Sequence, residues 1–325
     1  YFASGKLGVP GAMFTASHNP AKYNGIKLCR AGAAPVGQDS GLAEIRRMLE
    51  AQDIPSFSGA HGSSSEQDML VQYAQFLREL VPLDASRLLK VVIDTGNGMG
   101  GFTVPAVLGD QVLPALPLDI VPMYFELDGT FPNHEANPIE PENMRDLQAM
   151  VLETGADIGL AFDGDADRCF VVDEKGNIVD PSTLTAMIAV RELAKRPGST
   201  VIHNLITSRA VPEIIAEHGG TPVRTRVGHS FIKATMAETG AVFGGEHSGH
   251  FYFADFWNAD SGMLAAMHAL AALGESAPGT TFSDLCDRYV RYVASGEINT
   301  RVADTGKVIA HIKDVSASVP NTAVD

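Results

Sequence analysis

Short apolar, β-branched runs alternate along the chain with stretches that repeat at helical spacing, the pattern of an α/β protein. KVVIDTGNGMGG (90–101) reads as a strand and a glycine-rich turn, followed by a helical FTVPAVLG. ADIGLAFDGDADRCFVVDEKG (156–176) is strand, acidic loop and strand, with a turn at Lys175-Gly176. STVIHNLITSRAVPEIIAEHGGTPVRTRV (199–227) repeats strand, loop, helix, strand, and His218-Gly219-Gly220 ends its helix. A helix around 183–195 stops near Pro197-Gly198. MLAAMHALAAL (263–273) predicts a buried helix, since it is shorter than the ~20 residues of a membrane span and contains His268. SFSGAHGSSSEQD (56–68) is a solvated loop, and YVASGEINTRV (292–302) opens a further unit. Boundaries are expected near 66, 178 and 290, giving segments 1–66, 67–178, 179–290 and 291–325. The echo between successive strand–loop–helix units points to related αβ domains in series.

At 325 residues, with 45% hydrophobic and 19% charged residues, the chain has the makings of several domains with real cores. Its net charge of -15 repels nucleic-acid backbones and anionic membranes, so neither is expected as a partner. A small anionic substrate remains compatible, given local basic groups or a metal cation. Cys29, Cys169 and Cys286 are scattered and form no CxxC pair, which suits a reducing cytoplasm and excludes a disulfide framework. The chain opens at Tyr1 without a signal-peptide pattern and stops after SASVPNTAVD, so both ends are expected to be cut from something longer.

The sharpest chemical signal is DGDADR (163–168), where Asp163, Asp165 and Asp167 recur every second residue past an apolar strand. In extended backbone that spacing turns alternate side chains to one side. Carboxylates about 4 Å apart repel by ~4 kcal/mol per pair at a surface dielectric. A hard cation resolves this, and all-oxygen ligands favour Mg²⁺ or Ca²⁺. An EF-hand is excluded: Glu174 holds the twelfth position, but Arg168 replaces the glycine at the sixth and strands flank the loop.

GGEHSGH (244–250) places Glu246 and Ser248 two residues apart among glycines, a spacing that suits vicinal sugar hydroxyls. Its histidines, His247 and His250, lack a third metal ligand. RVGHSFIKATM (226–236) enters a helix at Gly228-His229, with Arg226, His229 and Lys233 grouped nearby. It reads either as an anion site at a helix N-terminus or as a helix start capped by Ser230. DTGNGMGG (94–101) lacks the lysine of a P-loop and is taken as a tight strand-to-helix turn. TASHNP (15–20) lifts a serine and a histidine into a polar turn behind an apolar run.

TASHNP, DGDADR, VGHSFIK and GGEHSGH, in that order, resemble the α-D-phosphohexomutase family, nearest to its bacterial phosphomannomutase and phosphoglucomutase branch. The resemblance implies a multi-domain α/β fold, serial αβ domains with mixed sheets around a central cleft. Segment 1–66 would be the second half of domain I, 67–178 domain II, 179–290 domain III and 291–325 the opening strands of an α+β domain IV. The family's N-terminal stretch and C-terminal phosphate-binding loop find no match in the chain. The activity implied is interconversion of hexose 6-phosphate and hexose 1-phosphate, with mannose and also glucose as the hexose. It runs through a phosphoserine and a hexose 1,6-bisphosphate, and glucose or mannose 1,6-bisphosphate is the activator. Ser17 would be the phosphoserine, holding Mg²⁺ together with Asp163, Asp165 and Asp167. Arg168 would clamp the phosphoryl group, Lys27 would neutralise charge or move a proton, and His18, His229 and His250 would serve acid/base roles. Gly228, His229, Glu246, Ser248 and His250 would bind the sugar phosphate. The alternatives are a phosphoglucosamine mutase, a Mg²⁺-dependent sugar-phosphate phosphatase and an inactive sugar-phosphate-binding fragment.

Overall fold

The computed structural model describes residues 1–60, 62–83, 86–293 and 300–317, the side chains of His229 and Ser230 excepted. The chain divides into two compact units, Tyr1–Arg291 and Tyr292–Asp325.

The first unit carries three sheets. Strands β1 (Gly11–Phe14), β2 (Ile26–Arg30) and β3 (Ala34–Pro35) form a small antiparallel one. A second sheet contains β4 (Leu89–Asp94), β5 (Leu118–Met123), β6 (Ile158–Phe162), β7 (Cys169–Asp173) and β8 (Ile178–Val179) in the order β5-β4-β6-β7-β8. The third contains β9 (Thr200–Asn204), β10 (Thr221–Thr225), β11 (Phe243–Gly245), β12 (Phe251–Phe253) and β13 (Ala259–Asp260) in the order β10-β9-β11-β12-β13. The two larger sheets share one plan: three parallel strands, then two antiparallel ones. The echo read in the sequence is thus a repeated topology.

β6 and β7 are buried at every position, so their sequences, IGLAF and CFVVD, are continuous apolar runs rather than alternating ones. Pro181–Lys195 starts where Asp180 accepts the Ser182 N–H, with proline next in line. Gly262–Gly274 starts where Ser261 accepts the Leu264 N–H, and it is apolar nearly all round because it lies inside the molecule. One apolar cluster runs from Phe2 to Cys286 through both larger sheets. Among the described residues no helix is long and apolar enough to cross a membrane.

The repeated plan fixes two turns at equivalent places. DGDADR joins β6 to β7, and EHSGH joins β11 to β12. They meet directly, through an antiparallel bridge between Arg168 and His250 and a bond from the Cys169 N–H to the Gly249 carbonyl at 3.3 Å.

In the second unit Asp304 caps the helix Thr305–Ser316 by accepting the Lys307 N–H. The expected opening strands fall in large part on 294–299, outside the described residues; what is described contains a helix and no strand.

Gly262 couples this fold to the acidic turn. A Cβ there would lie 2.6 Å from the Arg168 carbonyl oxygen and 3.0 Å from that of Ala166. Both are backbone atoms, so the helix would have to retreat, and overpacking of this kind costs about 1–3 kcal/mol. Gly262→Ala is therefore expected to lower the urea midpoint without changing the m-value. An unchanged midpoint would show that the helix is free to slide.

Candidate active site

The acidic turn is built on a buried ion pair. Asp163, fully buried at the end of β6, accepts the Arg168 N–H at 3.1 Å through one oxygen. Its other oxygen accepts Arg168 Nε at 2.8 Å. Arg168 is itself buried, although its type rarely is, because this carboxylate pairs it. Ala166 turns the corner in the left-handed region at φ 59°.

Into this turn the small sheet delivers a second loop. Residues between β1 and β2 close through the Thr15 N–H to the Gly25 carbonyl (3.0 Å), and the Ser17 N–H donates to Thr15 Oγ1 (2.8 Å). Ser17 is held at φ 56°, a strained conformation for a residue with a side chain. Its hydroxyl lies 3.3 Å from Asp163 Oδ2, 3.5 Å from Arg168 Nη2 and 3.3 Å from His18 Nδ1. Close approach depends on Gly164, where a Cβ would lie 2.3 Å from the Ser17 carbonyl oxygen.

Lys27, on β2, reaches across to the same turn, at 2.6 Å from Asp165 Oδ2 and 2.5 Å from Asp167 Oδ2. Burial works against its charge, but Asp167 and Asp165 outweigh burial and raise its pKa. Asp165 Oδ2 also accepts from Thr15 Oγ1 at 2.9 Å. Burial pushes the Asp163 carboxyl up to about 7, with the neighbouring Asp167 charge adding and Arg168 opposing. Burial acts the same way on Asp165, but Lys27 and Thr15 prevail and lower it.

One carboxylate oxygen from each of Asp163, Asp165 and Asp167 lies within 4.8 Å of the others, so the turn can hold a metal ion. Asp165 Oδ1 and Asp167 Oδ1 are buried without a hydrogen-bond partner, so both have acceptor capacity to offer a cation. Asp167, His250 and Asp260 form a second cluster of this kind. There, however, Asp260 already pairs with Lys233 at 2.7 Å and with His250 Nδ1 at 3.0 Å. Burial opposes the charge of His250, and the hydrogen bond it donates to Asp260 together with the Asp167 charge raises its pKa nonetheless.

The sequence-predicted residues are thus brought together at Ser17, His18, Lys27, Asp163, Asp165, Asp167, Arg168 and His250. The EHSGH turn differs in detail from its reading. Glu246 is buried, with Oε1 accepting from Asn204 Nδ2 and the Gly228 N–H (both 3.2 Å) and Oε2 from the Tyr252 hydroxyl (2.7 Å). Ser248 is half-buried. Gly228, at φ 127°, is the N-cap of the helix His229–Thr239, in place of Ser230. The side chain of His229 lies outside the described residues. Lys233 does not join Arg226 as an anion contact; it is buried against Asp260, while Arg226 stacks on the Phe231 ring at 4.9 Å. Thr15, Asp260, Asn204 and Tyr252 are site residues that sequence reasoning missed. A lone lysine in an apolar helical stretch was the one available sign that a buried carboxylate waits elsewhere.

The profiles of phosphoglucomutase/phosphomannomutase alpha/beta/alpha domains I, II and III match residues 1–54, 71–176 and 180–292. A phosphomannomutase of Salmonella montevideo is 39% identical over 96% of this chain and 69% of its own length. One from Escherichia coli strain K12 is 38% identical, with the same shares. A crystal structure of a phosphoglucomutase/phosphomannomutase family protein from Burkholderia thailandensis superposes with a TM-score of 0.76 at 33% identity. That match covers 87% of this chain and 59% of the Burkholderia one, so the chain spans somewhat over half of that protein.

His18 offers a direct check on the electrostatics. Burial lowers its pKa, and the Arg168 and His250 charges lower it further, to about 4. The folded value lies below the unfolded one of about 6.5, so neutral His18 favours the fold above that pH. Its contribution is lost as pH falls through 4. In metal-free protein, NMR of the His18 ring protons should show a midpoint near 4. A midpoint at the ordinary histidine value would contradict the placement of His18 beside Arg168.

Proposed function

The chain belongs to the phosphoglucomutase/phosphomannomutase family of hexose-phosphate mutases, and from that premise we propose that it interconverts hexose 6-phosphate and hexose 1-phosphate through a phosphoserine at Ser17. Mannose is the principal hexose and glucose a second one, and the intermediate is the hexose 1,6-bisphosphate. The observation that carries this reading is the seat of Ser17, a strained, half-buried serine whose hydroxyl faces Asp163 and Arg168.

A phosphoryl group on Ser17 adds about -1.5 to -2 charges beside three carboxylates. Arg168 can bond its oxygens, and the Asp163 pair keeps that guanidinium aimed. Lys27, fixed between Asp165 and Asp167 and kept charged by them, neutralises charge in preference to moving a proton. Asp163, Asp165 and Asp167, with the Ser17 oxygen, are the residues that would hold Mg²⁺, which supplies positive charge to the phosphoryl group in transfer. The two orphaned oxygens at Asp165 and Asp167 suit an all-oxygen cation of this class.

In the forward step the bond between Ser17 Oγ and phosphorus breaks as a sugar hydroxyl oxygen bonds to phosphorus. The hydroxyl proton leaves to a base of the cleft, for which His250 and His229 are the candidates, and neutral His18 stands by the serine oxygen. The bisphosphate then reorients and returns its other phosphoryl group to Ser17. Ser248 and Glu246 hold the sugar hydroxyls, Glu246 with the acceptor capacity that Tyr252, Asn204 and the Gly228 N–H leave. Segments 1–66, 67–178 and 179–290 serve as domains I to III, and 291–325 begins domain IV. Glucose or mannose 1,6-bisphosphate loads Ser17 with phosphate.

Peptide mass spectrometry of the active protein should find phosphate on Ser17. Ser17→Ala should reduce turnover of mannose 1-phosphate to background in a coupled assay while leaving the circular dichroism spectrum unchanged. Parent-level turnover in Ser17→Ala would overturn the assignment. Stoichiometric phosphate release, without dependence on a trace of bisphosphate, would make the protein a phosphatase instead.

A further inference from the structure

Outside the residues already assigned, His134 is a histidine whose surroundings dictate its protonation. His134 Nε2 lies 2.9 Å from Asp94 Oδ2, and Nδ1 lies 2.9 Å from the Glu135 carbonyl oxygen. Both partners only accept, so both ring nitrogens must carry protons for both bonds to form. We propose that His134 is a positioning residue: as an imidazolium locked between Asp94 and Glu135, it clamps the 131–137 loop onto the glycine-rich turn that supports the metal-binding turn.

The chain of contacts is continuous. Asp94 ends β4, is buried, and with its other oxygen accepts the Gly96 N–H at 2.8 Å. A Cβ on Gly96 would meet Ala136 at 3.2 Å, so the clamped loop rests directly on this turn. Asn133 donates to Asn97 Oδ1 at 2.8 Å, a second fastening between the same two segments. From the turn, the Met99 N–H donates to the Gly164 carbonyl at 2.9 Å. A Cβ on Gly98 would lie 2.6 Å from that same oxygen. Gly164 is the residue on which the Ser17 backbone is seated. His134 therefore acts at two removes from the serine and touches no metal-binding carboxylate.

The groups facing His134 favour its charge. Asp94 comes from β4, Asp146 from the helix Arg145–Thr154, and the Tyr124 ring packs edge-on at 5.3 Å while its hydroxyl donates to Asp146. Burial lowers the pKa of His134, but the Asp94 hydrogen bond and charge, the Glu135 carbonyl and Asp146 raise it overall. With the folded value above the unfolded one, the clamp holds at lower pH and is released as pH rises through the folded value.

The inference rests on the metal-turn reading above, and the test separates the two. In metal-free, ¹⁵N-labelled protein, His134 should titrate above the ordinary value of about 6.5. The amide signals of Met99 and Gly164 should move with the same midpoint. Asp94→Asn should lower that midpoint, and His134→Gln should abolish the coupled amide shifts. The titration in the unsubstituted protein stands even if a variant folds poorly. Mn²⁺ binding by that protein tests the metal reading on its own. Its affinity should fall by up to about tenfold, the equivalent of 1.4 kcal/mol, in His134→Gln at a pH where His134 of the unsubstituted protein is protonated, with the difference vanishing once pH has risen above the His134 midpoint found in that titration. A His134 midpoint at or below the ordinary value, amides that ignore its titration, or a pH-independent difference in Mn²⁺ affinity would each overturn the proposal.

Discussion

A carboxylate removed from water must be paired, and Asp163 is removed from water entirely. Its partner is Arg168, five residues further on, so the pair closes the acidic turn upon itself. Breaking a buried pair of this kind typically costs about 3–5 kcal/mol, because one charge is left uncompensated. Everything else at the site follows from this closure. It turns Asp165 and Asp167 toward Lys27, and it offers the Ser17 hydroxyl one anionic and one cationic neighbour. It also holds the Arg168 backbone in register with His250, which ties the acidic turn to its counterpart in the next sheet.

That tie has a topological origin. Two sheets of the same strand order leave the acidic turn and the EHSGH turn at the same point of the plan, between the last parallel strand and the first antiparallel one. A single αβ unit offers one such turn. Packing two of them through a shared apolar core sets the turns edge to edge, so that the acidic turn of one lies against the EHSGH turn of the other. The small sheet then needs only a loop and one lysine to complete the arrangement.

The parts legible in the sequence were those whose cause is local. IGLAF and CFVVD announced buried strands, and alternate aspartates between them announced the cluster of carboxylates that the structure gathers within one turn, because both signals lie within a few residues. Ser17 stands out in the sequence only through the resemblance to a known family, since a serine in a polar turn is commonplace; the features the structure adds, the left-handed backbone and the glycine-permitted approach to Gly164, are tertiary. Lys233 shows how local reading fails. One turn past a helix start, it looked like an anion contact, yet its helix buries that face and the ammonium is drawn to Asp260, twenty-seven residues away. The cap of the same helix is Gly228 rather than Ser230; Gly228 sits at φ 127°, a backbone that only glycine adopts readily, and its N–H donates to Glu246. The partner in each case, Asp260 or Glu246, lies too far along the chain for neighbouring residues to name it.

The central claim is that the acidic turn is held ready for a divalent cation by residues from three segments of the chain. Calorimetric titration of the metal-free protein with Mg²⁺, in parallel with Asp165→Asn, tests it most directly. The account predicts one ion per chain, and in the variant an affinity weaker by at least about tenfold, the equivalent of 1.4 kcal/mol, with an unchanged circular dichroism spectrum. No Mg²⁺ binding by the parent, or equal affinity in Asp165→Asn, would contradict it.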